Sequence, residues 1–183
     1  VEQSFTITVN NVNDAPTITS TAVTTVNEDA GYSYTFAASD SDSGDGVTLS
    51  APTTPSWLSF NAGTGVLSGT PNNSDVGNHS VVLKATDSSG AVDTQSFTLT
   101  VDNVNDAPTI TSTAVTSVNE DVAYSYTFAA NDVDNGESVT LSAQSLPSPS
   151  FLNFNAGTGV LSGTPNNSHV GSHSITLRAT DPN

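Results

Sequence analysis

Acidic and amide side chains recur in two matching sets along the sequence, and their chemistry suits a hard divalent cation. The first set is Asn13, Asp14, Glu28, Asp40, Asp42 and Asp87, and the second is Asp102, Asn103, Asn105, Asp106, Glu120, Asp132, Asp134 and Asp181. Ca²⁺ is bound in proteins by roughly six to eight oxygen atoms from carboxylates, amide side chains and backbone carbonyls. The two sets therefore predict that this chain binds calcium.

The alternative for each of these residues is a structural role, because Asp and Asn commonly bond to loop amides in Asx-turns. We assign isolated acidic residues such as Asp45 and Asp93 to that role. Comparison of the two copies favours the metal interpretation for Asp40, Asp42 and Asp87, because they recur as Asp132, Asp134 and Asp181. By the same comparison Asp75 is not a ligand, since His169 replaces it in the second copy.

Other side chains lack the patterns that catalysis or a second kind of site requires. His169 and His173 have a spacing that joins side chains on a helix but not in a loop that leads into a strand. The sequence contains no Gly-x-Ser-x-Gly motif for a nucleophilic serine. Trp57 has the chemistry of a sugar-stacking platform, but its counterpart is Phe151 and apolar residues surround it, which indicates a core position. The sequence therefore favours a protein that is not an enzyme.

The charge balance excludes one class of partner. Lys84 and Arg178 are the only lysine and arginine, against 18 acidic side chains, and the formal net charge is −16. Nucleic acid is excluded, because binding it requires cations that replace phosphate counterions. We also expect no membrane insertion, because no apolar run approaches the roughly 20 residues of a spanning helix. The composition predicts an extracellular protein. Its negative charge favours solubility in salty media, binding of divalent cations, or both.

Two blocks of sequence occur twice, which indicates a tandem array of domain-sized repeats. Residues 12–26 match 104–118, and residues 61–74 match 155–168. We predict three parts: the last strand of a preceding repeat with its linker (1–16), a complete β-sandwich repeat with its linker (17–108), and a second repeat without its last strand (109–183). This phase of the repeat leads us to expect an excerpt from a longer tandem protein.

Alternating apolar and polar residues predict the fold that positions the acidic sets. In the complete repeat the predicted strands are residues 17–19 with 23–26, 32–38, 47–51, 57–60, 66–68, 79–86 and 94–101. Within the second of these, Tyr32, Tyr34 and Phe36 face one side while Ser33 and Thr35 face the other. One buried face and one solvated face predict an all-β protein of tandem antiparallel β-sandwiches with Ig-like architecture.

This architecture predicts that the ligands converge. The segment before the first strand and the loops after the second and sixth strands of an Ig-like sandwich lie at the same end. The linker residues Asn105 and Asp106 should therefore lie near Asp132, Asp134 and Asp181, and the first set should converge in the same way around its own linker. We expect calcium at the domain junctions.

Residues 57–71 (WLSFNAGTGVLSGTP) and 75–91 (DVGNHSVVLKATDSSGA) resemble the putative-Ig and dystroglycan-type cadherin-like repeats of large bacterial surface proteins. The NVNDAP segments at 11–16 and 103–108 resemble the linkers of those repeats. The resemblance covers the whole chain and implies an extracellular array of β-sandwiches.

The resemblance also implies calcium between domains, because cadherins bind it with a linker motif, an Asp-x-Asp pair and an Ala-x-Asp. These correspond here to Asn105 with Asp106, to Asp132 with Asp134, and to Asp181. The linker departs from the cadherin pattern in the order of Asn and Asp and in Val104, which stands where a ligand would. We therefore expect one or two ions at each junction.

Together these observations predict a structural repeat of an adhesin or filament stalk, stiffened by calcium at its linkers. The alternative is a carbohydrate-binding module whose Ser-, Thr- and Asn-rich face recognises polysaccharide. The expected partners are neighbouring repeats of the same chain or copies of it. Residues 3–9 could donate a strand to another copy, although we favour a continuous longer array in which the strand is supplied covalently.

Overall fold

The structure is a computed structural model that describes residues 1–134, 136–148 and 150–182. The chain divides into two compact units, residues 1–104 (unit 1) and residues 105–183 (unit 2). Among the described residues, no helix combines the length and the apolar character needed to cross a membrane.

Nine strands make up unit 1: β1 (Thr17–Ile18), β2 (Thr25–Asn27), β3 (Tyr32–Thr35), β4 (Ala38–Ser39), β5 (Thr48–Thr53), β6 (Leu58–Asn61), β7 (Val66–Gly69), β8 (Gly77–Thr86) and β9 (Val92–Asp102). One sheet has the order β2-β9-β8-β5, a second has the order β3-β7-β6, and β1 pairs with β4. The predicted all-β architecture is confirmed. One pair departs from the antiparallel expectation, since β2 runs parallel to β9.

The core of unit 1 lies between the two larger sheets. Tyr34 on β3 and Leu67 on β7 are 3% and 0% exposed, and they meet Leu83 on β8 and Leu99 on β9, both 0% exposed. These side chains occupy alternate positions along their strands, because successive residues of a strand point to opposite faces. The alternation in the sequence therefore identified the buried face correctly.

The predicted strand over residues 32–38 is two strands in the structure. β3 pairs with β7, and after Phe36 the chain continues as β4, which pairs with β1. At this switch the Phe36 amide donates to the Gly65 carbonyl at 2.8 Å. Gly65 has a φ of +70°, and a Cβ added there would collide with the Phe36 carbonyl oxygen. The glycine in the repeated Gly-Thr-Gly sequence is therefore needed for this close approach of two backbones.

The strands of unit 2 repeat this arrangement: β10 (Thr109–Ile110), β11 (Tyr124–Thr127), β12 (Ala130–Asn131), β13 (Thr140–Ser145), β14 (Leu152–Asn155), β15 (Val160–Gly163) and β16 (Thr176–Thr180). β11, β15 and β14 form a sheet in that order, β10 pairs with β12, and β13 pairs with β16. The described residues of unit 2 include no strand equivalent to β2 or β9.

The strand expected in residues 3–9 is not assigned within this chain. Residues 1–16 belong to none of the strands of the described structure, and Phe5, Ile7 and Val9 are each at least 75% exposed. A strand requires a neighbour that supplies the other half of its hydrogen bonds, and none pairs with this segment in the described chain.

Candidate metal centre

Strand pairing explains why the acidic loops of unit 1 meet. β1 and β4 are antiparallel with Thr17 opposite Ser39, so the linker before β1 lies beside Asp40 after β4. β5 and β8 are antiparallel with Thr48 opposite Thr86, so the loop before β5 lies beside Asp87 after β8. These two pairings bring the linker and two loops to one end of the unit.

Three carboxylates form the centre of this acidic cluster. Asp40, Asp45 and Asp87 each place one carboxylate oxygen within 4.8 Å of the others. Asp87 is buried, at 5% exposure. The Asp42 amide donates to Asp40 Oδ1 at 2.8 Å, whereas Asp40 Oδ2 is buried and has no hydrogen-bond partner. Such an oxygen is costly to bury without a donor or a cation.

The linker is tied to the same cluster by two hydrogen bonds. The backbone amide of Asp14 donates to Asp42 Oδ2 at 2.8 Å, and Asn13 Nδ2 donates to Asp87 Oδ2 at 2.9 Å. The predicted association of Asn13, Asp14, Asp40, Asp42 and Asp87 is therefore seen in the geometry. The metal-binding role of these residues remains a prediction.

Hydrogen bonding keeps the Asp87 carboxylate ionised. The Asn13 side chain is the largest influence and lowers the Asp87 pKa. Burial opposes this shift by raising the pKa, and the backbone amides of Ala91, Gly90 and Ser89 lower it further. Because hydrogen bonds to the charged form favour it, Asp87 carries its negative charge well below neutral pH.

Unit 2 repeats the geometry with its own residues. The Asp134 amide donates to Asp132 Oδ1 at 2.9 Å, and Asp132 Oδ2 is buried without a hydrogen-bond partner. The linker amide of Asp106 donates to Asp134 Oδ2 at 2.8 Å. Asn105 Nδ2 donates to Asp181 Oδ2 at a longer 3.4 Å. The same bonds in both copies indicate that the sequence, and not a chance loop conformation, determines this arrangement.

The expected grouping of Glu28 with Asp40, Asp42 and Asp87 is wrong. β2 runs parallel to β9 with Asn27 opposite Asp102, so Glu28 lies at the end of unit 1 where β9 finishes. Asp87 lies near the start of β9, and 11 residues of strand span about 35 Å. The parallel pairing of β2 with β9 therefore places Glu28 at the other end of the unit from Asp87.

Glu28 instead holds the second linker. Its carboxylate accepts from the Val104 amide at 2.7 Å through Oε1, and its own amide donates to the Asp102 carbonyl at 3.0 Å. Glu28 is only 2% exposed, and its Oε2 is buried without a hydrogen-bond partner. Asp102 and Asn103, the other predicted ligands of this segment, directly precede Val104 in the chain. Glu120, the counterpart of Glu28, is exposed in unit 2.

Asp45 is a cluster residue that the sequence interpretation missed. Its carboxylate accepts from the Ser88 amide at 3.1 Å, and this bond holds it beside Asp87. The antiparallel pairing of β5 with β8 is what brings the two loops together. A signal was present in the sequence, because the counterpart of Asp45 is Glu137 and a carboxylate therefore recurs at this position. By contrast, Asp93 accepts from the Ile18 amide, as a structural residue does.

The aromatic candidates pack inside their units. Trp57 packs against the core of unit 1 and makes edge-to-face contacts with Tyr32 and His79, with ring centroids 6.3 and 6.0 Å apart. Its counterpart Phe151 contacts the rings of His169 and His173. In each case the histidine and aromatic rings contact each other, which is a packing arrangement.

Comparisons with known proteins agree on the kind of domain. The family described as "Putative Ig domain" matches residues 15–102 and 107–183. Among curated proteins, the "Serine-rich adhesin for platelets" of Staphylococcus aureus strain MRSA252 is 33% identical over 141 residues, which are 76% of this chain and 10% of the adhesin. The same adhesin from strain MSSA476 is also 33% identical, and there the match covers 6% of its length.

Solved structures of cadherin ectodomains have a similar fold. Domains EC1-2 of human Protocadherin-24 align with a TM-score of 0.57 at 18% identity, covering 92% of this chain and 88% of that one. The Protocadherin GammaB4 extracellular domain aligns with a TM-score of 0.52 at 21% identity, covering 94% of this chain and 33% of that one. These alignments describe the fold alone.

Proposed function

The chain belongs to the putative Ig domain family, and from this premise we propose that its units are non-catalytic structural repeats of a long cell-surface adhesin, stiffened by Ca²⁺ at their linkers. The observation that carries the proposal is the acidic cluster that holds the linker in both units. The predicted resemblance and the extracellular surface location are confirmed by the family match and by the similarity to staphylococcal adhesins.

A spacer role fits the size of this chain relative to its relatives. The match spans 10% of the adhesin from strain MRSA252, so most of that protein lies outside it. We propose that repeats of this kind hold a distal binding region away from the cell surface.

The residues at the acidic cluster fit a calcium ion. Asp40, Asp45 and Asp87 present hard oxygen atoms close together, and the buried Asp40 Oδ2 lacks a hydrogen-bond partner. Ca²⁺ would supply positive charge to neutralise these carboxylates. Asp42, in the same loop as Asp40 and Asp45, is available as a further ligand. Asn13 would present Oδ1 to a cation if its side-chain amide flipped.

The chain's own hydrogen bonds explain how such a site would stiffen the linker. The Asp42 and Asp134 carboxylates accept the linker amides of Asp14 and Asp106, each at 2.8 Å. Without a cation, repulsion among the clustered carboxylates favours opening of these loops and release of the linker amides. With the carboxylates neutralised, the loops stay in place and the linker stays bound to its unit.

The second linker is also held from unit 1. The buried Glu28 carboxylate accepts the Val104 amide, while unit 2 holds the Asp106 amide. Neighbouring residues of one short segment are therefore anchored in different units. We propose Glu28, Asp102 and Asn103 as further cation ligands on the unit 1 side of this segment.

Calorimetric titration of Ca²⁺ into the chelator-treated chain tests the proposal. We expect saturable binding with a Kd of about 10⁻⁴–10⁻³ M, as in other extracellular modules, and weaker binding of Mg²⁺. Asp87→Asn together with Asp181→Asn should remove most of the binding. Asp29→Asn is the matched control, because Asp29 is exposed and its φ of 57° suits Asn. Absence of calcium binding in the parent chain would refute the calcium part of the proposal.

The carbohydrate-binding alternative stays a prediction. Trp57 and Phe151 pack against neighbouring rings of their own units, which leaves recognition to exposed Ser, Thr and Asn side chains. A glycan array tests it, because saturable binding to one polymer would favour the module over the spacer.

A further inference from the structure

Each unit contains a short 3₁₀ helix that is capped by an asparagine. The helix is Asn73–Asp75 in unit 1 and Asn167–His169 in unit 2. The side-chain oxygens of Asn72 and Asn166 accept a backbone amide of the helix that follows, at 2.9 and 3.0 Å. On this side the caps of the two units are equivalent.

The two caps differ in the group that accepts the amide of the asparagine itself. In unit 1 the Asn72 amide donates to Asp75 Oδ2 at 3.0 Å. In unit 2 the Asn166 amide donates to His169 Nδ1 at 3.1 Å. A backbone N–H can only donate, so Nδ1 must carry a lone pair and the imidazole must be neutral. One proton on His169 therefore removes the acceptor.

We propose that this cap makes unit 2 sensitive to mild acid, whereas unit 1 is insensitive. Imidazole ordinarily changes its charge between about pH 5 and 8, and a carboxylate keeps its charge down to about pH 4. Protonation of His169 replaces the lone pair on Nδ1 by an N–H that points at the Asn166 N–H. The unfolded chain takes up the same proton without losing a bond, so the stability of unit 2 should fall as the pH decreases. This property goes beyond the spacer role and does not involve the acidic clusters.

The other two histidines keep their hydrogen bonds when they are protonated. His79 Nε2 lies 2.6 Å from the Asp75 carbonyl oxygen, and His173 Nε2 lies 2.7 Å from the His169 carbonyl oxygen. A carbonyl oxygen can only accept, so both rings donate, and a charged ring donates more strongly. The two units share this bond, and they differ in the acceptor at residue 75 or 169.

An aromatic contact adds a second cost to the protonated state of unit 2. The Phe151 ring lies against both His169 and His173, with centroids 4.8 and 5.0 Å apart. Two protonated imidazoles beside one phenyl ring repel each other, because like charges at short range disfavour the charged form. The corresponding pair in unit 1 is Asp75 and His79, whose charges have opposite sign.

The neighbouring groups on other elements keep their charge over this pH range. The Asp121 turn lies beside the helix of unit 2, since the Asp121 amide donates to the Pro165 carbonyl at 2.7 Å. Carboxylates and phenols ordinarily titrate below about pH 5 and above about pH 9, and burial raises the pKa of Tyr124 further. Among the described residues, the other titratable side chains that line the same cavity as His169 are Glu120, Tyr124, Tyr126 and His173.

Exchange of the acceptor between the two units tests the proposal. His169→Asp gives unit 2 the acceptor of unit 1, and Asp75→His gives unit 1 the acceptor of unit 2. His173→Gln is the matched control, because it removes the other histidine at the Phe151 ring and leaves the acceptor of the Asn166 amide in place.

Urea unfolding of the whole chain in chelator, followed by amide NMR, measures the two units separately. Leu67 and Leu161 are equivalent core residues that report on unit 1 and unit 2. Between pH 8 and pH 5 the ratio of folded to unfolded molecules should fall about fivefold more for unit 2 than for unit 1, which is the factor expected for the loss of one cap. The Asn166 amide resonance should shift with the same midpoint as the His169 ring.

The variants should move this acid sensitivity from one unit to the other. His169→Asp should abolish the difference between the units, Asp75→His should give unit 1 the same fall, and His173→Gln should keep most of the difference. The proposal is overturned if the two units of the parent lose stability equally, or if His169→Asp keeps the full difference. It is also overturned if the Asn166 amide does not respond when the His169 ring is protonated.

Discussion

Replacement of Asp40 by Asn should stabilise unit 1 without calcium, and this advantage should disappear with calcium. Asp40 Oδ2 is buried without a hydrogen-bond partner and lies in a cluster with two other carboxylates. Leaving a buried polar group unsatisfied costs about 1–3 kcal/mol. Asn keeps the oxygen that accepts the Asp42 amide and removes the charge. In chelator, Asp40→Asn should therefore stabilise the unit by about 1 kcal/mol, which raises Tm by roughly 4–8 °C.

Calcium should cancel this advantage. At about a hundred times its Kd, calcium stabilises the parent by about 2.7 kcal/mol. If the loss of the Asp40 charge weakens binding about tenfold, the same calcium concentration stabilises the variant by only about 1.4 kcal/mol. The calcium-induced shift of Tm should therefore fall by about half.

Differential scanning calorimetry with chelator and with calcium measures both effects. Asp29→Asn removes the same charge from an exposed site outside the cluster and should leave the calcium-induced shift unchanged. The reasoning is refuted if Asp40→Asn lowers Tm in chelator and keeps the full calcium-induced shift, because Asp40 would then be a satisfied structural residue.

Three further changes test other parts of the structure. Gly65→Ala should destabilise unit 1 by at least about 2 kcal/mol in urea unfolding, because of the φ of +70° and the collision with the Phe36 carbonyl; an unchanged midpoint would contradict this. Burial raises the Tyr32 pKa to about 12, so the folded state keeps the proton longer than the unfolded state and unit 1 should lose stability between about pH 10 and 12. Tyr32→Phe should flatten that part of the pH profile, and an equally steep profile would exclude this tyrosine as the cause. Asn72→Ala removes the side chain that accepts the Ser74 amide at 2.9 Å and should cost about 1 kcal/mol in thermal unfolding, with no effect expected if this cap is dispensable.

Much of the fold follows from local features of the sequence. Period-two alternation identified the buried residues of β3 and β8, since only one face of each strand reaches the core. Turn residues bounded the strands, and the repetition of two blocks made it possible to compare the copies residue by residue. The recurrence of Asp40 as Asp132 and of Asp87 as Asp181 marked the acidic loops before their spatial relation was known.

The pairing of strands, which determines the loops that meet, is not visible in the local sequence pattern. The sequence around β2 does not reveal that its neighbour is β9 or that the two are parallel, and this pairing places Glu28 with Val104 and not with Asp40. The antiparallel pairing of β5 with β8 likewise brought Asp45 to Asp87. The division of the predicted strand over residues 32–38 depended on a change of partner at Phe36.

The physical reason for this difference between strands and strand pairing is the range of the interactions that determine each. Alternation, turns and charge are properties of neighbouring residues, so the sequence by itself determined the strands, the buried faces and most of the acidic set. Which loops share one end of a sandwich depends on hydrogen bonds between residues far apart in the chain, and those are selected by the packing of the whole core. The tertiary structure alone therefore decided which carboxylates meet, and it separated the group at Asp40 from the group at Glu28.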